Sequence, residues 1–280
     1  RYRRNYMPYR IYGQKLEYLW RAPSIRSWEE TCKNGLCNEV QSRFWNTKPV
    51  EELYDTKNDP WEVNNLANDP EYQDVLKRMR KANLEWMKSI KDVGVIPEAE
   101  ISRLAGETPF YDYVRSDAVN MDQIIEAADA ATLASKDSIP QLIRFLKDEN
   151  SAIRYWGATG LLILGPDAKP AVQELKKVLD DPSPNVQVVA AEVLYQLGQQ
   201  KPAVQTLAEV IRSGGEFACT HALNTVYCLN ITDKEIVDAT ASMVKSREKM
   251  SRDGYDLRAA KLLFEKEQID PEDYEISFDW

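Results

Sequence analysis

The second half of the chain repeats itself. Displaced by 33 residues, Leu142 falls on Leu175, Leu146 on Leu179, Asp148 on Asp181, Ile153 on Val186, Ala158 on Ala191, Leu161 on Leu194 and Gly165 on Gly198. A further displacement by 32 sets Pro170 on Pro202, Leu175 on Leu207, Leu179 on Ile211, Ala190 on Ala222 and Leu197 on Leu229. A period of this length marks one supersecondary unit used several times over. A single unit cannot bury its apolar face alone, so the units must stack. No other feature of the sequence restricts the fold as strongly.

Within one period the spacing predicts two helices. Val172, Leu175, Val178 and Leu179 lie on one helical face. The break Asp-Asp-Pro-Ser-Pro follows, with Ser183 suited to the cap and Pro184 to the first helical position, where a missing N–H costs nothing. Val186, Val189, Ala190, Val193, Leu194 and Leu197 form the next stripe, and Gly198 suits a left-handed stop. This order (Pro near the first helix, Leu-x-x-x-Leu, Asp, Ile/Val-Arg, a final Leu-Gly) resembles the HEAT repeat family. Ile153-Arg154 matches it best, Gln187 replaces the arginine in the next unit, and the third unit lacks it. The resemblance spans residues 137–268. It implies an all-α solenoid that serves as a scaffold or binding surface, or that packs against its own neighbouring domain. Residues 101–136 read as a connecting segment, in which Met121 to Ser135 is the second helix of a degenerate leading unit. Residues 269–280 read as an acidic tail with a few aromatic anchors.

The first half has a different composition. Residues 1–50 carry a net charge of +6 and the remainder −15, giving −9 over the 280 residues. An acidic total argues against a general nucleic-acid binder. Five of the seven tryptophans (Trp20, Trp28, Trp45, Trp61, Trp86) precede residue 100. His221 is the one histidine, which excludes His-rich metal sites and argues against a Ser-His-Asp triad. No apolar run approaches the roughly 18 residues of a membrane span. Cys32 and Cys37 flank a turn-like stretch. Two free thiols are the favoured reading and a disulfide, which would fit an oxidising compartment, the alternative. Cys219 and Cys228 fall in one predicted helix about 13 Å apart, too far to bridge, and read as small core residues. The chain opens on Arg-Tyr-Arg-Arg, without an initiator methionine, and reads as a piece of a longer protein.

Residues 51–94 hold the sharpest local pattern. Glu52-Leu53-Tyr54 reads as a short strand, and Asp55 to Pro60 as a plain turn rich in residues that bond their own backbone. Asp69 and Pro70 open a helix over residues 70–92, with Tyr72, Val75, Leu76, Met79, Ala82 and Trp86 on one face. Glu52, Leu53, Tyr54, Asp55, Asp59, Pro60, Glu62, Asn65, Leu66, Ala67, Leu84 and Trp86, with the upstream stretch RYRRNYMPYRIYGQ, resemble the C-terminal subdomain of bacterial sulfatases, within the alkaline-phosphatase-like hydrolases. Thr56 departs from the family's usual leucine. The resemblance covers residues 1–100 and implies a small antiparallel sheet with a packed helix, an α+β arrangement, ahead of the all-α repeats.

The sulfatase nucleophile is a formylglycine made from Cys or Ser in Cys/Ser-x-Pro/Ala-Ser-Arg. None of the four cysteines heads that motif. By resemblance, the nucleophile and the calcium ligands belong to a preceding catalytic domain, so this chain contributes no catalytic residue and no metal ligand of its own. Arg10, Tyr12 and Gln14 are the candidate substrate-binding residues: arginine pairs with sulfate in a bidentate way and tyrosine stacks on sugar rings. Alternatively, the tyrosines pack the sheet and the arginines face water. The expected function is the non-catalytic C-terminal portion of a sulfatase acting on sulfated sugars in the periplasm or outside the cell. The expected partners are its own catalytic domain and a sulfated glycan or a protein on the repeat surface. The alternative is a HEAT-repeat scaffold for protein or glycan with no enzymatic role.

Overall fold

Residues 1–247 and 254–278 are described by a computed structural model of the chain. Two strands, β1 (Tyr2–Arg4) and β2 (Glu51–Leu53), bracket short helices α1 (Glu17–Trp20), α2 (Pro23–Lys33) and α3 (Glu39–Ser42). Helices α4 (Gln73–Ile90), α5 (Glu98–Ala105), α6 (Phe110–Tyr113) and α7 (Met121–Thr132) follow. Next come α8 (Ile139–Phe145), α9 (Ser151–Leu164), α10 (Val172–Val178) and α11 (Pro184–Gln196). The last are α12 (Gln200–Ser213), α13 (Glu216–Leu229), α14 (Lys234–Arg247) and α15 (Tyr255–Glu267). The chain divides into two units, Arg1–Val95 with Met121–Leu133, and Ile96–Asn120 with Ala134–Trp280. The sequence reading makes 101–136 one connecting stretch. Helix α7 groups with the first unit.

In the first unit β1 and β2 pair antiparallel, with Tyr2 opposite Leu53, Arg3 opposite Glu52 and Arg4 opposite Glu51. Alternate residues of a strand face opposite sides. Leu53 packs with Ala67 and Leu76, joined by Tyr2, Leu66, Tyr72, Val75 and Met79. On that side Glu51 takes a bidentate pair from Arg80 of α4, at 2.7 and 2.5 Å. Asp69 caps a 3₁₀ turn (Pro70–Tyr72) by accepting from the Glu71 N–H, and α4 runs on from it. Met87, not Trp86, continues the apolar stripe: Trp86 is 58% exposed and Ala82 also faces solvent. The helical period explains this correction, because 76, 79/80, 83 and 87 share a face, whereas 82 and 86 fall outside it. The α4 helix stops on Lys91 in the left-handed region, ahead of Gly94. Helix α7 is tied to the rest of the unit by Arg4, which reaches the Asp129 carboxylate at 3.0 Å and the Thr132 hydroxyl, and by Lys88–Glu126.

The segment between the strands is a small aromatic body. Trp28 stacks on Phe44 with ring centroids 4.9 Å apart, and Trp45 meets Trp20, Trp28 and Phe44 edge-on. Cys32 and Cys37 are joined as a disulfide with Cα atoms 4.8 Å apart, so the less favoured alternative is the one adopted. Gly13 fits here because a Cβ would sit 2.7 Å from a Phe44 ring carbon.

The second unit is helical. Helices α9 and α11 are buried around almost their whole circumference, as core helices are. Each contacts its chain neighbour and the helix two positions on: α9 touches α8 and α11, α11 touches α10, α12 and α13, and α13 touches α12 and α15. Ser183 caps α11 with Pro184 at the first position, as the sequence predicts. Arg154 grips Asp181 with two bonds of 2.6 and 2.8 Å and also donates to the carbonyls of Asp148 and Glu149. The guanidinium thereby links positions one period apart. Helix α5 carries Glu100, 0% exposed, which accepts from Arg103 and from the hydroxyls of Ser151 and Ser183, each at 2.6 Å. The first turn of α9 and the cap of α11 thus converge on one carboxylate. His221 lies in α13 with Nδ1 3.1 Å from the Asn185 amide oxygen. Cys219 is buried, but Cys228 is exposed, contrary to its reading as a core residue. In the tail, Ile276 is buried, and Tyr274 and Phe278 pack edge-on against Phe264.

Gly157 marks a close approach of α8 to α9: a Cβ there would lie 2.8 Å from the Phe145 Cβ and 3.0 Å from the Leu142 carbonyl. Gly157→Ala gains about 1 kcal/mol of helix propensity but overpacks against backbone, at a cost of about 1–3 kcal/mol. Because backbone cannot yield as a side-chain tip can, overpacking is expected to prevail. Chemical denaturation followed by circular dichroism should show a less stable chain; unchanged or raised stability would refute so close a contact.

Candidate functional site

The candidate residues lie on the segment that leaves β1 and returns to β2. Three backbone links keep its two arms together: Asn5 N–H to the Val50 carbonyl (3.0 Å), an antiparallel bridge between Ile11 and Thr47, and Gly13 N–H to the Phe44 carbonyl (2.8 Å). Arg10, Tyr12 and Gln14 all sit on the outgoing arm of this ladder.

Glu52 organises the face. It is 2% exposed, and a buried carboxylate must be paired or bonded. Its oxygens accept from the Tyr12 hydroxyl (2.5 Å), the Asn5 amide (2.7 Å), the Tyr54 hydroxyl (2.8 Å) and Arg3 (3.3 Å). Burial pushes the Glu52 carboxyl up, but these bonds outweigh it and hold the group below the usual carboxylate range. Burial and the bond to Glu52 raise Tyr12 and push Tyr54 up to about 12, so both phenols remain donors at neutral pH.

Tyr12 therefore has a fixed hydroxyl and a partly exposed ring, 37% accessible. The Arg10 guanidinium stacks on the Tyr9 ring at 4.8 Å. Gln14 is exposed, and its backbone N–H turns back to the Tyr12 carbonyl at 2.9 Å. The structure adds Lys48, which sequence reading missed. Its Nζ lies 5.6 Å from the Tyr12 ring centroid and 3.5 Å from the Ile11 carbonyl. The available signal was the antiparallel return of the chain, but nothing in the sequence sets its register. Among the described residues no three His, Cys, Asp or Glu side chains are grouped to hold a metal ion. Among the described residues no helix is long and apolar enough to cross a membrane.

Comparison with known proteins relates part of the chain to sulfatases. An ulvan-active sulfatase of Formosa agariphila is 40% identical over 102 residues, which is 36% of this chain and 17% of that protein. A second protein of the same description and organism is 44% identical over 46 residues, 16% of this chain and 9% of the relative. The chain thus carries a sulfatase-related region and spans less than a fifth of the length of either relative. No family model matches the chain, and no solved structure matches it.

Glu52→Gln replaces an acceptor-only group with one that is half donor, facing four donors. The expected loss is about 2–3 kcal/mol. The pH dependence follows from the direction of the shift. The folded carboxyl titrates below the unfolded value of about 4.3, so the unfolded chain binds more protons in between and stability rises with pH there. The Glu52 contribution is complete above that value and lost as pH falls through the lower folded one. Melting curves should show the wild-type acid limb flattened in Glu52→Gln. An identical limb in both proteins would mean that Glu52 does not carry it.

Proposed function

We propose that this chain is the non-catalytic C-terminal portion of a longer sulfatase that hydrolyses sulfate esters of a sugar. The observation that carries the reading is the region 40% identical to an ulvan-active sulfatase. The hairpin with its helix-packed core and the motif from Glu52 to Ala67 supports it. In this reading the formylglycine nucleophile and the calcium site lie in a preceding catalytic domain. Arg10, Tyr12 and Gln14 line the rim that receives the sugar, with Arg10 directed to an oxyanion and Tyr12 to a ring face. Such contacts hold the ground state and lower a dissociation constant without creating a chemical step. The Cys32–Cys37 disulfide favours a periplasmic or extracellular site of action. The helical unit acts as a HEAT-like solenoid, a scaffold or binding surface. A scaffold without an enzymatic role is the second reading, favoured by the Arg154–Asp181 tie between successive periods.

The isolated 280 residues are expected to release no product from a chromogenic sulfate ester, with or without calcium. Turnover that survives purification and vanishes on mutating a residue of this chain would overturn the assignment. In a polypeptide that includes the catalytic domain, Arg10→Ala should raise KM about tenfold with kcat little changed. An unchanged KM on the natural substrate would remove Arg10 from the rim.

A further inference from the structure

The sequence holds one Asn-Gly step, Asn34-Gly35, and the Cys32–Cys37 disulfide encloses it. Both residues of the step are exposed, and the Asn34 side-chain amide makes no hydrogen bond among the described residues. Glycine, with no Cβ, leaves its own main-chain nitrogen unshielded. By residue type the step is therefore set up for attack of the Gly35 nitrogen on the Asn34 side-chain carbonyl carbon. By conformation it is held apart. Asn34 caps α2 at φ −80° and ψ 4°, which turns the Gly35 nitrogen away from that carbon. The Gly35 N–H donates to the Cys32 carbonyl at 3.0 Å. Bonds from the Asn34 N–H to the Glu30 carbonyl (3.0 Å) and from the Leu36 N–H to the Thr31 carbonyl (3.1 Å) fix the turn on either side. The disulfide ties its two ends. Ring closure needs the reacting atoms in a near-attack arrangement, so the turn has to open first. Asn150-Ser151, another asparagine followed by a small residue, is closed differently: the Asn150 amide oxygen accepts from the Ala152 N–H at 2.9 Å and Ser151 is 2% exposed.

We propose that Asn34 is a modification site gated by the disulfide: it keeps its amide while Cys32–Cys37 is intact and deamidates once a thiol reductant has opened the bond. Both cysteines are partly exposed, within reach of a small thiol. By thiol–disulfide exchange the reductant is oxidised to its own disulfide and the two cysteine sulfurs become thiols. In the freed turn the Gly35 nitrogen attacks Asn34 Cγ. A C–N bond forms, the Cγ–Nδ2 bond breaks, and the Gly35 amide proton passes through water to the departing ammonia. The product is a cyclic succinimide. Water then opens the ring at either carbonyl, to aspartate or to isoaspartate. The net change is one water consumed and one ammonia released, with no oxidation of Asn34. Reduction of the disulfide is reversible, whereas the loss of ammonia is not. The turn thus converts a passing reduction into a permanent negative charge at the C-terminal end of α2, where the helix dipole disfavours it.

The test uses the 280-residue chain at mildly alkaline pH in three forms: oxidised, reduced with excess dithiothreitol, and the double variant Cys32→Ser with Cys37→Ser without reductant. Peptides are read by mass spectrometry and isoaspartate by enzymatic methylation. Deamidation at Asn34 should run about tenfold faster in the reduced chain than in the oxidised one, because the reactive conformer is reached by local opening and the clamp lowers its population. The double variant should match the reduced rate, and adding Gly35→Ala to it should slow the reaction, as attack by the residue 35 nitrogen requires. Equal rates with and without the disulfide would overturn the gate. An Asn34 that keeps its amide in the reduced chain would overturn the site. Other asparagines reacting as fast as Asn34 after reduction would reject a local device in favour of general unfolding. Circular dichroism shows whether the double variant is folded, and the comparison of oxidised with reduced wild type decides the proposal without it.

Discussion

One buried carboxylate holds the first unit in its working shape. Glu52 collects donors from Arg3 and Asn5 at the start of the chain, from Tyr12 on the inserted arm and from Tyr54 just past β2. The strands β1 and β2 are three residues each, and a two-stranded sheet of that size is marginal in water without further support; α4 covers one face through the Leu53–Leu76 core, and Glu52 ties together the other. The hydrogen bonds to a charged, dry group supply the missing order, and in doing so they fix the Tyr12 hydroxyl and present its ring.

The second unit solves a related problem in a related way. Glu100 brings Ser151, at the first turn of α9, and Ser183, at the cap of α11, to one point. Helix starts carry unsatisfied N–H groups and a partial positive charge, so a carboxylate is suited to that place. Burial pushes the Glu100 carboxyl up, but Arg103 and the two serines outweigh it and hold it below the ordinary range. In both units an acid that composition would assign to the surface is instead an internal anchor.

The sequence was most legible where structure is periodic or local. The 32–33-residue displacement falls on helices, with Ser183-Pro184 at the start of α11, and in the first unit Asp69-Pro70 opens the turn that leads into α4. The short strand read at Glu52–Tyr54 is present as Glu51–Leu53. Long-range register was less legible. Lys48 reaches the Tyr12 ring only through a bridge that closes more than thirty residues of intervening chain, and no local rule fixes that pairing. Reading Ala82 and Trp86 into the apolar stripe follows too wide a face, whereas the phase of α4 gives the inward position to Met87. Neither Glu52 nor Glu100 could be recognised as an anchor before its donors were assembled around it.

The chain passes from one unit to the other and back before the first unit is complete. Helix α7, which supplies Asp129 and Thr132 to buried Arg4, is separated from the rest of its unit by residues 96–120, which belong to the other. On a ribosome the first unit therefore stays unfinished until residue 133 has emerged. By then Glu100 is already outside, waiting for a serine 83 positions further on. Synthesis order and spatial order are interleaved, so the units cannot mature strictly one after the other. For the same reason a cut at residue 95 or at residue 136 does not yield two self-contained pieces. The first cut strands Arg4 without its acceptors, and the second leaves Glu100 on the wrong fragment.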